Sequence, residues 1–237
     1  MPIQRHFANS DLAEMVDIAN DMVINTSHIH KFGYNPAVGT NYEDIWSRSG
    51  KIVFETSAAV ATIDSNLSNS GCKITIQGLD GNYDQVSETV TLDSSGDATT
   101  TQTFLRINRA FVSGNTAISN VVRIQINGSN QAQIDVAHQQ TMQAIYTIPR
   151  EYTGYLVLLS VGLQSKDKDA EVRINVCELG GVERTRDYLS FSQNFIEKHY
   201  PVPLAFPEKS DIKLQAKITG ADTLISGTFD IVLVKDK

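Results

Sequence analysis

The sequence predicts a mainly β protein: a jelly-roll-like antiparallel β-sandwich preceded by an N-terminal amphipathic helix or arm. From residue 51 onward, apolar and polar residues alternate in many short segments, the period of strands with one buried face. Clusters of Gly, Asn, Asp and Ser separate these segments, and no helix-period segment of the kind that parallel strands need lies between them. We therefore expect residues 1–50 to form a helix and an extended connector, and residues 51–237 to form one sandwich domain.

The first predicted element is an amphipathic helix over residues 11–24. Its apolar residues recur at three- and four-residue spacing, and Asp11 with Glu14 forms a capping box at its start. The apolar stripe needs a surface, which is either the protein's own domain or another subunit. The residues of this stripe are Leu12, Met15, Val16, Ala19, Met22 and Val23.

The connector that follows contains the pattern His28-x-His30, whose side chains would share one side of a strand, as paired metal ligands do. No spacing singles out a third ligand among His6, His138 and His199. The pattern is therefore interpreted as structural, and the sequence predicts no metal and no cofactor. The glycines and the proline of this segment indicate a turning connector, whose aromatic residues Tyr34, Tyr42 and Trp46 could contact a partner.

Strands are predicted at twelve places. In residues 72–78 and 211–219 the alternation is clearest, with Lys213, Gln215 and Lys217 expected to face water. Residues 153–163 are apolar on both faces and are expected to form a covered central strand. In the last strand Phe229, Ile231 and Leu233 share one face. The remaining predicted strands are residues 51–56, 57–64, 86–92, 99–108, 120–127, 132–138, 143–148, 170–179 and 227–234.

Residues 187–209 give the least regular pattern. This stretch combines aromatic residues with Pro201, Pro203 and Pro207, and alternating prolines exclude a central strand. It is interpreted either as a crossing segment that seals one end of the sandwich or as a contact surface. Cys72 and Cys177 both lie in strand patterns without a CxxC motif, and we expect buried, reduced thiols.

Composition excludes several functions. A formal net charge of -7 without a basic cluster argues against a nucleic-acid partner. No apolar run reaches the length of a membrane span, and no signal peptide is visible, so neither membrane association nor export is expected. The usual nucleophile, phosphate-loop and zinc-protease motifs are absent from the sequence. We therefore expect a protein that is not an enzyme. The alternative from the class of enzymes is a carbohydrate-active or metal-dependent enzyme that uses His28, His30 and Glu43.

Five stretches of the chain, residues 27–54, 78–92, 99–112, 146–160 and 208–234, resemble virion-associated structural proteins of tailed bacteriophages, especially β-rich proteins of marine phages. The resemblance implies a jelly-roll-like sandwich that decorates or cements a capsid, or alternatively a tail or baseplate adaptor or host-adhesion module. Its implied partners are the major capsid protein or other virion proteins, and we expect a homo-oligomer, with a trimer favoured. It also implies a virion location after synthesis in the bacterial host cytoplasm. It brings no catalytic residues.

Overall fold

The computed structural model describes residues 16–20, 22–165, 167–192 and 194–236, and it is built almost entirely from antiparallel strands. These residues form two β-sandwiches, each with its own hydrophobic core. The strands are β1 (Thr26–Val38), β2 (Glu43–Asp44), β3 (Ala59–Asp64), β4 (Lys73–Leu79), β5 (Gln85–Thr91), β6 (Ala98–Phe104), β7 (Arg106–Ser113), β8 (Val122–Ile126), β9 (Ser129–Ile134), β10 (Ile145–Thr147), β11 (Tyr152–Leu163), β12 (Ala170–Cys177), β13 (Arg184–Phe191), β14 (Phe195–Phe206), β15 (Asp211–Ile218) and β16 (Thr223–Lys235).

The first sandwich is a jelly roll made of β1 and β10 to β16. One sheet has the order β1-β16-β11-β14 and the other β10-β15-β12-β13, with the short strand β2 also paired to β15. Strands that follow one another along the chain alternate between the two sheets, except that β12 and β13 pair within one sheet, and this is the arrangement that two Greek keys produce. The prediction of a mainly β, antiparallel, jelly-roll-like sandwich is confirmed.

The jelly-roll core forms because the inward positions of each strand are apolar. In β16, Phe229, Ile231 and Leu233 are at most 1% exposed, as the alternation predicts. Strand β11 is central, as predicted, and pairs with β16 and β14. Its inward residues are buried, while its outward residues are half-buried rather than covered by another layer.

The second sandwich, β3 to β9, is inserted between the first and second strands of the jelly roll. Its sheets have the orders β6-β3-β8-β9 and β5-β4-β7, and they enclose a separate apolar cluster. Isoleucines dominate that cluster, with Phe104 and Cys72 fully packed among them. In the described residues each sandwich thus has its own core where the sequence predicts one sandwich, and the predicted boundary at residue 50 falls on the path between the two.

The N-terminal prediction needs correction. Of the predicted helix, residues 16–19 are helical, whereas residues 11–15 and Asp21 lie outside the described residues. The helix does not reach Ile24, because the chain turns at residues 23–25 and Asn25 adopts a φ of 63°. Strand β1 begins at Thr26 and pairs with β16 over most of its length, so this part of the predicted connector is a strand of the jelly roll.

Three further corrections concern strand assignments. Residues 51–56 form no strand, and the predicted strand at residues 99–108 is broken at Leu105, whose N–H donates to Leu79 O at 2.7 Å. The region 187–209, predicted to be irregular, contains most of β13 and all of β14. Strand β14 is an edge strand, and Pro201 and Pro203 lie in its bulge between His199 and Leu204, where the register with β11 shifts and prolines are tolerated.

The largest error in side-chain placement concerns β15. Lys213 and Gln215 are 9% and 1% exposed instead of facing water. The Lys213 ammonium is paired with Glu183 at 2.6 Å, and the Gln215 amide donates to Asp44 Oδ1 at 2.6 Å. These polar partners are far away in sequence, which is why alternation alone misplaces the two side chains.

Both cysteines are free, as predicted; Cys72 is buried and Cys177 is half-buried. Among the described residues, no helix has the length and apolar character that crossing a membrane requires.

Candidate functional site

The predicted interface residues of the N-terminal segment lie at the end of the jelly roll where β1 begins. Val16 is half-buried and Ala19 is exposed. Met22 and Val23 are 58% and 36% exposed, and the adjacent Ile24 is 85% exposed. Residues 22–24, the apolar tip, therefore present three consecutive apolar side chains to solvent. Leu12 and Met15 lie outside the described residues.

The three predicted aromatic anchors have different environments. Trp46 is 3% exposed and packs with Ile52 and Ile145 at the junction of the two sandwiches, so it cannot be a surface anchor in this fold. Tyr34 is half-buried and donates to Asp135 Oδ2 at 2.9 Å; burial and this hydrogen bond raise the pKa of Tyr34 to about 12. Its role is to connect β1 with the inserted sandwich.

Tyr42 belongs to a polar cluster on the other sheet. Its hydroxyl donates to Glu171 at 2.7 Å, and the Arg173 guanidinium lies 3.9 Å from the centre of its ring. Hydrogen bonds from Lys217 and Tyr42 lower the pKa of Glu171 to about 2, so this carboxyl stays ionised. Within the cluster, Lys217 pairs with Glu171 at 2.9 Å, and the Arg173 guanidinium donates to Gln215. The prediction that Leu12, Met15, Val16, Ala19, Met22, Val23, Tyr34 and Tyr42 form a partner interface stays a prediction.

The two histidines share one side of β1, as their spacing predicts, and both contact Asp230 on β16. The Nδ1 atom of His30 hydrogen-bonds Asp230 Oδ1, and His28 Nε2 lies 3.7 Å from the same oxygen. Within the described part of the chain, no group of three or more His, Cys, Asp or Glu side chains is arranged to hold a metal ion. Glu43 lies elsewhere and accepts from Asn35 and from the Gly50 N–H.

A cleft of about 620 Å³ lies between β1 and the inserted sandwich, and we call it the junction cleft. Residues 28–32 of β1 form one wall. The other wall is built from β4, β5 and β7 and includes Gln77, Gln85 and Arg109. The cleft is not predictable from the sequence, because its walls come from segments about fifty residues or more apart and no local motif marks either wall.

Lys31 is the most unusual group in the cleft. Its side chain points inward from β1 and is 8% exposed, and its ammonium donates to the Asn108 main-chain oxygen. Burial, followed by the positive charge of Arg109, lowers the pKa of Lys31 to about 7. A lysine at an inward position next to Ile29 and Gly33 is the sequence signal that could have identified it.

The depressed pKa of Lys31 makes stability depend on pH. Between about 7 and the ordinary lysine pKa of 10.5, the unfolded chain binds a proton that the folded chain does not, so the free energy of unfolding rises with pH. We expect wild type to gain up to about 1.4 kcal/mol per pH unit between pH 7 and 9 relative to Lys31→Met. Urea denaturation at several pH values measures this difference. Lys73→Met, at an exposed position on β4, is the control and should follow the wild-type pH profile; a Lys31→Met profile parallel to wild type contradicts the assignment.

Comparison with known proteins gives weak matches. No protein family and no curated protein matches the sequence. Among solved structures, one of infectious bursal disease virus, Gt strain, is 10% identical with a TM-score of 0.24, covering 89% of this chain and 73% of the other. The PBSX exported protein XepA is 13% identical with a TM-score of 0.21, covering 85% and 86% respectively. TM-scores this low do not establish a shared fold.

Proposed function

We propose that the protein is a non-enzymatic structural component of a virus particle, most specifically a capsid decoration or cement protein. The observation that supports this is the jelly roll itself. Its two sheets have the strand orders β1-β16-β11-β14 and β10-β15-β12-β13, and a second sandwich is inserted after its first strand. Jelly rolls are a recurrent fold of viral capsid proteins, although lectins and cupins also use them. This support is an analogy at the level of the fold, so the decoration role is argued next from a contact surface.

The apolar tip supplies a contact surface for that role. Ile24 and Met22 are more than half exposed at the point where the N-terminal segment joins β1. Binding of a partner that covers these exposed aliphatic side chains is favourable, because it removes apolar surface from water. We propose that the tip, with the segment before it, docks on the major capsid protein or another virion protein. We also propose a homo-oligomer, with a trimer favoured, made in the bacterial host cytoplasm.

A second candidate is a tail or baseplate adaptor or a host-adhesion module. Its support is the exposed loop between β12 and β13, where Leu179 and Val182 are 61% and 75% exposed. Such a loop could insert into a partner surface at a site distinct from the apolar tip.

Removing residues 1–24 tests the proposal. Asn25 must be kept because its main-chain oxygen accepts from the Lys235 N–H at 2.8 Å. We expect the shortened protein to fold, since every strand remains, and to be lost from purified particles because its docking segment is gone. Circular dichroism checks the fold, and quantitative mass spectrometry of particles measures copy number relative to the major capsid protein.

The control replaces a second exposed apolar pair, Leu179→Ser with Val182→Ser. For a decoration protein that docks through its tip, this variant keeps its wild-type copy number in particles. If the loop variant is lost and the shortened protein is retained, the adaptor or adhesion role replaces the decoration role. If both are retained at wild-type copy number, the proposed docking surfaces are wrong.

A further inference from the structure

We propose that the junction cleft binds a small polyhydroxylated organic anion, of the size and chemistry of an acidic mono- or disaccharide. The inference goes beyond the proposed structural role and does not depend on it. It rests on the charge, the hydrogen-bonding groups and the size of the cleft.

The charge of the cleft is opposite to that of the whole chain. The protein carries a formal net charge of -7, counted with neutral histidines, yet the cleft is lined by Arg109, by Lys31, which is charged below its pKa of about 7, and by His28 and His30; no aspartate or glutamate is among its lining residues in the described chain. Asp230 contacts the two histidines from the neighbouring strand but does not line the cleft. Field lines concentrate in a cleft with one sign of charge, so an anion gains more there than on the open surface.

Arg109, and Lys31 below its pKa of about 7, both keep N–H donors for a ligand. The Lys31 ammonium gives one hydrogen bond to a neutral carbonyl, that of Asn108, and its side chain is more than nine-tenths buried. Arg109 donates from Nη2 to Gln140 at 3.1 Å while its guanidinium lies 4.8 Å from the centre of the Phe111 ring. Each group has further N–H donors, and hydrogen bonds between such cations and an anionic oxygen are the stronger kind.

The remaining polar groups suit hydroxyls. Gln77, Gln85 and Ser87 line the wall formed by β4 and β5, and Gln140 and Thr141 lie near Arg109. Amides and hydroxyls both donate and accept hydrogen bonds, as the hydroxyls of a sugar do. A volume of about 620 Å³ is in the range of small-molecule pockets. The combination of buried cation, amides and hydroxyls matches a hydroxyl-bearing ring with one acidic group.

The test compares the binding of three probes, glucuronate, glucose and acetate, to the whole chain by isothermal titration calorimetry at about pH 6, below the Lys31 pKa of about 7, so that Lys31 is charged. Glucose has the hydroxyls without the carboxylate, and acetate has the carboxylate without the hydroxyls. We expect saturable binding of glucuronate that is at least about tenfold tighter than binding of either other probe, because both sets of contacts are then made. Equal affinity for glucose, equal affinity for acetate, or no binding of glucuronate overturns the proposal.

Two variants locate the site. Arg109→Gln removes one cation of the cleft at an exposed position, and we expect it to weaken glucuronate binding about tenfold. Arg123→Gln makes the same change of charge at an exposed position outside the cleft and should leave the affinity unchanged. If Arg109→Gln does not fold, Gln85→Ala takes its place as a weakening variant. Equal affinities of Arg109→Gln and Arg123→Gln, or of Gln85→Ala and wild type, place the ligand elsewhere and overturn the assignment.

Discussion

Replacing Asp211 with alanine lowers the free energy of unfolding by about 3–5 kcal/mol, because the change leaves the buried guanidinium of Arg106 without its counter-charge. Arg106 and Asp211 are 6% and 7% exposed, and they belong to the inserted sandwich and to the jelly roll respectively. An unpaired charge at this depth costs far more than the pair contributes when complete. The variant should therefore loosen the junction between the two sandwiches.

The geometry of the pair explains the size of the effect. Arg106 donates from Nε and Nη2 to the two carboxylate oxygens at 2.8 and 2.9 Å, a bidentate arrangement. Thr147 donates to the same carboxylate at 2.6 Å, and Arg106 Nη1 donates to the Glu55 main-chain oxygen at 2.7 Å. The guanidinium also lies 4.5 Å from the centre of the Phe54 ring. Arg106 is thus held by several contacts at once, so in Asp211→Ala its guanidinium cannot easily turn toward another counter-charge.

Urea denaturation followed by tryptophan fluorescence measures this loss. Trp46 is the chain's one tryptophan and is buried at the junction, so its emission reports on the elements that the ion pair joins. Arg150→Gln is the matched control: Arg150 pairs with Asp84 at 3.0 Å, but both side chains are more than two-fifths exposed. We expect the control to cost less than about 1 kcal/mol.

A double variant separates the cost of an unpaired charge from the loss of an attraction. Arg106→Met combined with Asp211→Leu removes both charges, and most of the stability lost in Asp211→Ala should return. A single variant no less stable than the Arg150→Gln control would contradict the role of the ion pair. A double variant as unstable as Asp211→Ala would show that the bidentate geometry itself, rather than the unpaired charge, controls the junction.

The sequence predicts the strands well where one face is buried, and it fails where distant polar groups meet. The alternation in β16 places Phe229, Ile231 and Leu233 correctly, because burial against a core leaves a periodic trace along one strand. Lys213 and Gln215 follow the same alternation on β15 but are buried, because Glu183 and Asp44 meet them there. Partners of this kind are set by topology, which a local pattern does not record.

The insertion is hidden for a related reason. Strands β3 to β9 have the same alternation and the same turn residues as the strands of the jelly roll, so nothing in the local pattern marks where one core ends and the other begins. The contacts that join the two cores include polar, long-range ones, such as the hydrogen bond from Tyr34 to Asp135. The junction cleft arises from the same topology, and for this reason Lys31 and Arg109 could not be paired from the sequence.

Replacing Phe229 with alanine is expected to lower the free energy of unfolding by about 3–5 kcal/mol, because it removes a large side chain from the centre of the jelly-roll core. Phe229 is fully buried on β16, between its register partners Lys31 on β1 and Leu159 on β11. Both neighbouring strands are fixed by long ladders, so the walls of the resulting cavity have little room to collapse.

The control for this variant is Phe195→Ala, which makes the same chemical change at a position 56% exposed on the edge strand β14. It should cost less than about 1 kcal/mol, since little apolar surface is buried there. Equal losses in the two variants would mean that β14 is covered or that β16 is not central, and either result contradicts the strand order β1-β16-β11-β14. A large loss confined to Phe229→Ala supports β16 as the strand on which the core depends; because β16 also holds β1, the same loss should weaken the wall of the junction cleft.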